Sequence, residues 1–181
     1  VASADRLAPR PTRLSFAQAA AVPVAGVTAL QGLRDHGRLD PGQRVLINGA
    51  AGGVGHFAVQ IARAMDARVT AVCSTRNVEL VRSLGADEVL DYTRADFTRM
   101  GRRWHLLLDI VGNHALPRCR RVLFDDGTYV LVGADSDPFG YLVRMALMSA
   151  MNGLVSQRMT SMIGKPNRAD LLALRQMIDA G

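Results

Sequence analysis

Residues 44–55 read Arg-Val-Leu-Ile-Asn-Gly-Ala-Ala-Gly-Gly-Val-Gly (RVLINGAAGGVG), and this stretch decides the fold. Arg44 to Asn48 is a short apolar run of strand type. A glycine-rich turn follows, and Gly53 to Met65 then carries Val54, Phe57, Ala58, Ile61 and Ala62 on one stripe at helical spacing. The turn is of the G-x-G-x-x-G type, with Ala50 in the first glycine's place. Gly52 has no Cβ, so its backbone can approach a pyrophosphate. Gly55 lets the helix pack tightly on the strand, and the helix start offers free N–H groups and the positive end of its dipole. A glycine pattern alone is weak evidence, and the strand before it and helix after it strengthen it. A P-loop needs Gly-Lys-Ser/Thr, and no lysine lies near. A methyltransferase loop leads to an acidic residue at the end of the second strand, which is missing here.

Outward from this unit the chain alternates. Strands are expected at 68–73 (RVTAVC), 88–91, 105–109 (HLLLD), 127–132 (GTYVLV) and 158–163. Helices are expected at 77–84, 115–122, 139–152 and 167–179. Ahead of the loop, Ser15 caps a helix over 16–21 with Gln18 in the capping-box position. Pro23 and Gly26 interrupt it, and a second helix runs from Val27 to His36. Strands alternating with helices predict an α/β fold: a Rossmann, doubly wound, parallel six-stranded sheet with helices on both faces. Continuous apolar strands fit a sheet buried on both sides. Residues 1–14, punctuated by Pro9 and Pro11, read as a lead-in. Residues 15–181 are the dinucleotide-binding domain.

Composition narrows the function classes. The formal charge of +6 is almost all arginine, Lys165 being the only lysine, and the arginines are scattered with one Trp and three Tyr to stack on bases. That argues against nucleic acid. No apolar run reaches the roughly 18 residues of a membrane span. Two distant cysteines, Cys73 and Cys119, form no disulfide framework and no metal-ligand pattern, so a reducing cytoplasm is the expected compartment.

The second strand ends Val72-Cys73-Ser74-Thr75-Arg76, with no carboxylate to accept from the ribose hydroxyls of NAD. Ser74 and Thr75 can donate to a 2′-phosphate, and Arg76 adds charge-assisted bonds. The expected cofactor is therefore NADP(H). Ser74 also reads as the cap of the next helix.

Residues 50–97 (AAGGVGHFAVQIARAMDARVTAVCSTRNVELVRSLGADEVLDYTRADF), with AVPVAGVTALQGL at 21–33, LLLDIVGN at 106–113, GTYVLVG at 127–133 and KPNRADL at 165–171, resemble the cofactor domain of medium-chain dehydrogenase/reductases, in their zinc-independent quinone oxidoreductase (zeta-crystallin-like) branch. The resemblance implies that Ala51, Gly52, Gly53 and Val54 hold the pyrophosphate. It places Ser74 and Arg76 at the 2′-phosphate and Tyr92 at the adenosine end. Asn113, Val132 and Gly133 would line the path to nicotinamide, and Thr28 would sit near its ribose. Tyr92 reads equally as a half-buried strand-end aromatic, Asn113 as a helix cap and Thr28 as an ordinary helix residue.

The resemblance further implies hydride transfer to a quinone or an activated alkene or carbonyl, and a small-molecule substrate. No zinc is expected, because Val24 stands where zinc-dependent relatives place a cysteine ligand. It implies a homodimer through the edge of the sixth strand and a barrel-like substrate domain, of which 1–14 would be the tail. No residue reads as a general acid, so no catalytic residue is assigned. The rival class is a non-catalytic NADP(H)-binding, sensor or interaction module.

Overall fold

In a computed structural model of the protein the structure describes residues 3, 6–133 and 138–181, apart from the side chains of 138, 139 and 141. Residues 1, 2, 4 and 5 of the expected lead-in lie outside it. Six strands form one sheet: β1 (Arg44–Asn48), β2 (Arg68–Cys73), β3 (Glu88–Asp91), β4 (Trp104–Asp109), β5 (Leu123–Val132) and β6 (Arg158–Met162). All neighbours are parallel, in the order β3-β2-β1-β4-β5-β6. The strand order reverses between β1 and β4, which opens a crevice at their C-terminal ends.

The expected α/β architecture is present, with helices on both faces. Helices α1 (Phe16–Gln31), α2 (Gly53–Ala64), α3 (Val78–Ser83) and α6 (Arg168–Ala180) cover one face, where Val45 and Ile47 of β1 join Val27, Leu30, Ala58, Val81 and Leu174 in one cluster. Helices α4 (Leu116–Arg121) and α5 (Pro138–Asn152) cover the other, where Leu46 joins Leu107, Leu116, Cys119, Tyr129 and Met148. The alternation Val45, Leu46, Ile47 between the faces is the period-two geometry of a strand, and every position is apolar because both faces are buried.

One helix corrects the sequence expectation. Pro23 and Gly26 do not interrupt; α1 runs through both and continues into a wider π-helical turn at Gly32–His36. Proline in a helix interior costs about 3 kcal/mol. Burial of Val27, Leu30 and Leu33 opposes it at roughly 1.5–3 kcal/mol each. Gly26 is where α1 approaches α6 and α2: a Cβ there would lie 3.2 Å from Leu174 Cδ1 and 3.7 Å from Phe57 Cδ1. The merged segment Phe16–His36 therefore has the length and apolar character to cross a membrane, at a mean hydropathy of 1.3, which the separate pieces did not. Its apolar residues from Val27 to Leu33 are packed in the protein's own core. The capping box forms as expected: Gln18 N donates to Ser15 Oγ and Ser15 N to Gln18 Oε1.

β5 begins four residues before the expected Gly127, because Leu123 pairs with Trp104 ahead of a register shift. Trp104 is fully buried, and its Nε1 donates to Thr70 Oγ1 at 3.1 Å, reaching from β4 across β1 to β2. Thr70→Val keeps the shape and strands that donor. It should lower unfolding stability by about 2 kcal/mol, read as a shifted urea midpoint with unchanged slope.

Candidate functional site

The glycine turn has the geometry its sequence implies, shifted by one residue at its start. Gly49, not position 50, holds the left-handed backbone, with φ +91°, so Ala50 is accommodated in the core. Gly49 N and Ala50 N both donate to Val72 O, tying the turn to β2. A Cβ at Gly55 would sit 2.1 Å from Gly49 O and 2.7 Å from Ala50 C, both backbone atoms that cannot yield. At Gly53 a Cβ would meet nothing within 4 Å, so the glycine there borders open space. The first bond at the start of α2 is His56 N to Gly52 O, and the N–H groups of Gly53, Val54 and Gly55 precede it. His56 Nδ1 lies 3.0 Å from Gly52 O. This cradle suits a pyrophosphate: donors aimed outward and no side chain in the way.

A cavity of about 780 Å³ opens beside the turn and brings together Ala51, Gly52, Ser74, Arg76, Tyr92 and Asn113 of the expected site residues. Gly53 and Val54 head α2 beside it, Gly53 exposed and Val54 packed on the core. Thr28, Val132 and Gly133 do not line it. Val132 is buried at the end of β5, and Gly133, φ +86°, donates its N–H to Met162 O. Thr28 is buried with its hydroxyl donating to Val24 O, as in an ordinary helix residue. The backbone of Gly164, just past β6, lies directly over it, leaving no room for a Cβ.

Two alternative readings fall to the geometry. Tyr92 is 61 % exposed, not half-buried. Asn113 caps no helix: α4 starts after Ala115, and Asn113 Oδ1 instead receives Asn48 Nδ2 at 3.1 Å and lies 2.8 Å from His114 Nδ1. Ser74 stands at the N-cap of the short turn Thr75–Asn77 without a side-chain cap bond; its Oγ accepts from Asn77 Nδ2. Among the described residues Arg76 makes no hydrogen bond or ion pair, and it lines the cavity.

Several residues of the crevice were missed in the sequence. Asp96, Phe97 and His114 form its far wall. His114 Nε2 lies 3.3 Å from Asp96 Oδ1, and its ring meets that of Phe97 at a 55° tilt with centroids 4.7 Å apart. Beneath the wall lies Asp109, fully buried at the end of β4. Its carboxylate accepts from Asn48 Nδ2 (2.8 Å), Tyr129 Oη (2.9 Å) and the N–H groups of Val111 and Gly112. Arg144 of α5 reaches in to Tyr129 Oη and the Gly112 carbonyl, 3.7 Å from Asp109. Burial and the facing Asp109 push the Tyr129 phenol far up, and burial pushes the Cys119 thiol to about 12, so both stay protonated. The one available signal was a carboxylate closing the apolar strand LLLD.

Two carboxylates at the crevice are held below the usual range. Asp91 is lowered chiefly by the Thr75 hydroxyl and then by Thr93. Burial raises Asp96, but bonds from Thr98 and the nearby His114 and Arg99 outweigh it. A carboxylate held below its unfolded value of about 3.9 takes up its proton at lower pH when folded. Its contribution is complete above about pH 4 and is lost as pH falls through the folded value. Thermal melts from pH 6 to pH 2 should show an acid decline that is shallower in Asp91→Asn.

Among the described residues no three His, Cys, Asp or Glu side chains are grouped as metal ligands. The sequence profile of the zinc-binding dehydrogenase family matches residues 53–174. The chain is 54 % identical over 88 residues to a chloroplast envelope quinone oxidoreductase homolog of Arabidopsis thaliana, a match covering 46 % of this chain and 27 % of that protein. It is 42 % identical over 119 residues to the mitochondrial NAD(P)H oxidoreductase RTN4IP1 of Bos taurus, covering 62 % and 30 %. The structure superposes on the quinone oxidoreductase of Coxiella burnetii with a TM-score of 0.82 and 29 % identity, over 99 % of this chain and 54 % of that one. The chain thus spans under a third of these curated relatives and about half of the solved structure. With fold, glycine cradle and sequence profile in agreement, the chain belongs to the medium-chain dehydrogenase/reductase family, as a cofactor domain of the quinone oxidoreductase-like kind.

Proposed function

We propose that the chain is the NADP(H)-binding part of an oxidoreductase that passes hydride to a quinone or an activated alkene or carbonyl without zinc. The observation that carries the cofactor choice is the corner where β2 ends. Ser74 and Arg76 line the cavity there, Arg76 is uncommitted among the described residues, and β2 ends without a carboxylate. The relative named as an NAD(P)H oxidoreductase supports a nicotinamide cofactor of either kind. In this reading the α2 start holds the pyrophosphate, Arg76 and Ser74 hold the 2′-phosphate, and Tyr92 flanks the adenosine. The C-terminal ends of the strands near Thr28, Val132 and Gly133 would face the nicotinamide end. The cofactor, when bound, supplies the hydride; the chain's own residues bind and orient it. The scattered histidines, and Val24 in place of a cysteine, fit no zinc site. The quinone preference is supported by the names of the Arabidopsis and Coxiella proteins.

Calorimetric titration with NADPH and NADH in parallel tests the reading. NADPH should bind more tightly, and Ser74→Asp with Arg76→Ala should remove about tenfold or more of that preference, the worth of a charge-assisted bond replaced by repulsion. An unchanged preference rejects the assignment. Hydride transfer to a quinone separates the reductase from a binding or sensor module that holds NADPH without turnover.

A homodimer through β6 and cytoplasmic residence belong to the same proposal. β6 is a sheet edge, and Leu142, Val143 and Leu147 of the adjacent α5 are exposed. Light scattering at high concentration should give twice the chain mass; a strictly monomeric mass counts against the dimer.

A further inference from the structure

The corner assigned to the 2′-phosphate contains a carboxylate that the absence of one on β2 does not explain. Asp91 ends β3 and pairs in register with Cys73, the last residue of β2. A bare carboxylate there would repel a phosphate, yet this one is not bare. Its side chain is 11 % exposed. Oδ2 receives the Thr75 hydroxyl at 2.6 Å, and Oδ1 receives the Thr93 N–H at 2.9 Å and the Thr93 hydroxyl at 2.8 Å. Arg94 Nε lies 3.5 Å from Oδ2. The two threonine hydroxyls are themselves 3.1 Å apart.

These contacts join the two loops that form the corner. The turn Thr75–Asn77 carries Arg76, and the segment after β3 carries Tyr92, Ala95 and Asp96 to the opposite side of the cavity. Neither loop has another side-chain bond to its partner among the described residues. Thr75 is therefore unavailable as a direct phosphate donor, contrary to the sequence expectation, because its hydroxyl proton points to Asp91.

We infer that Asp91, Thr75 and Thr93 form a clasp that positions Arg76 and fixes the preference for the phosphorylated cofactor, a role that rests on the NADP(H) reading above. The clasp does two things. It satisfies the carboxylate's acceptors inward, away from the ligand, with Arg94 beside the charge, and it narrows the freedom of an arginine that has no other anchor among the described residues. A restrained guanidinium loses less entropy on binding. NADH has no 2′-phosphate and does not report on Arg76.

The test compares NADPH and NADH affinity by calorimetry in wild type, Thr75→Val, Thr75→Ser and Thr93→Val, with melting temperature measured for each. Thr75→Val keeps shape and the Asp91 charge but removes the bond between loops. It should cut the NADPH-to-NADH affinity ratio by about tenfold, mostly through NADPH. Thr75→Ser, which restores the hydroxyl, should keep the ratio. Thr93→Val should lower it in the same direction. An unchanged ratio in Thr75→Val, or an equal loss for both cofactors, overturns the clasp while a wild-type NADPH preference leaves the NADP(H) reading standing. A wild type with no preference overturns both.

Discussion

The approach of α2 to its own strand is the constraint on which the crevice depends. Gly55 lies against the Gly49 carbonyl so closely that a single methyl group would overlap it. Only that approach lets the helix start point its free N–H groups along the floor of the crevice rather than past it. Because the contact is backbone against backbone, no repacking of side chains can substitute for it. The left-handed Gly49 then turns the chain out of β1, which frees the position of the first motif glycine for a buried alanine.

A second constraint follows from burying the sheet on both faces. Its interior strands have little place for polar groups, and besides mid-strand Thr70, Thr128 and Tyr129 the buried ones sit at strand ends and hold loops. Asn48 ends β1 and Asp109 ends β4, on the two sides of the reversal in strand order. Their mutual bond, with Asn113, Val111 and Gly112 attached, fixes the crevice wall against the core. Breaking a buried charged network by removing one partner is far costlier than leaving it intact is favourable. Asp109, Tyr129 and Arg144 are therefore better read as a device for holding shape than as a source of net stability. The charge surplus shows the same local logic. Arg63, Arg82, Arg99 and Arg102 each face a nearby carboxylate.

How far the chain could be read in advance depended on the range of the interactions. β1, β2 and β3 were legible to the residue because apolar runs bounded by turn residues are local signals, and the glycine turn was legible because its glycines lie close together in sequence, from Gly49 to Gly55. α1 was misread because the packing of Leu30 and Leu33 on the sheet, invisible in local pattern, outweighs the local cost of Pro23. Within the crevice, Ser74 and Arg76 were found from a strand end. Asp96 and His114 were not, because they meet only through the fold, eighteen residues apart. Asp91 was overlooked for a related reason. The rule for cofactor choice looks at the end of the second strand, and parallel pairing places the end of the third beside it.

That adjacency refines what an acidic residue at such a corner means. A carboxylate's repulsion of a phosphate weakens when a cation is paired with it and its oxygens are held by donors that face away from the ligand. At Asp91 the oxygens are held by Thr75 and Thr93, with Arg94 3.5 Å away, so in the proposed reading the carboxylate serves as an anchor for the loops that carry Arg76 and Tyr92. In that reading the chemical identity of a residue at a strand end is insufficient to assign the cofactor, and the partners of its carboxylate matter as well. By the same argument, in the proposed reading, discrimination between the two nicotinamide cofactors is contained in this chain. The features placed toward the nicotinamide end are a backbone-bonded Thr28, a buried Val132 and a turn glycine, Gly133. None offers a free acid or base, so substrate chemistry must be shaped by groups other than these.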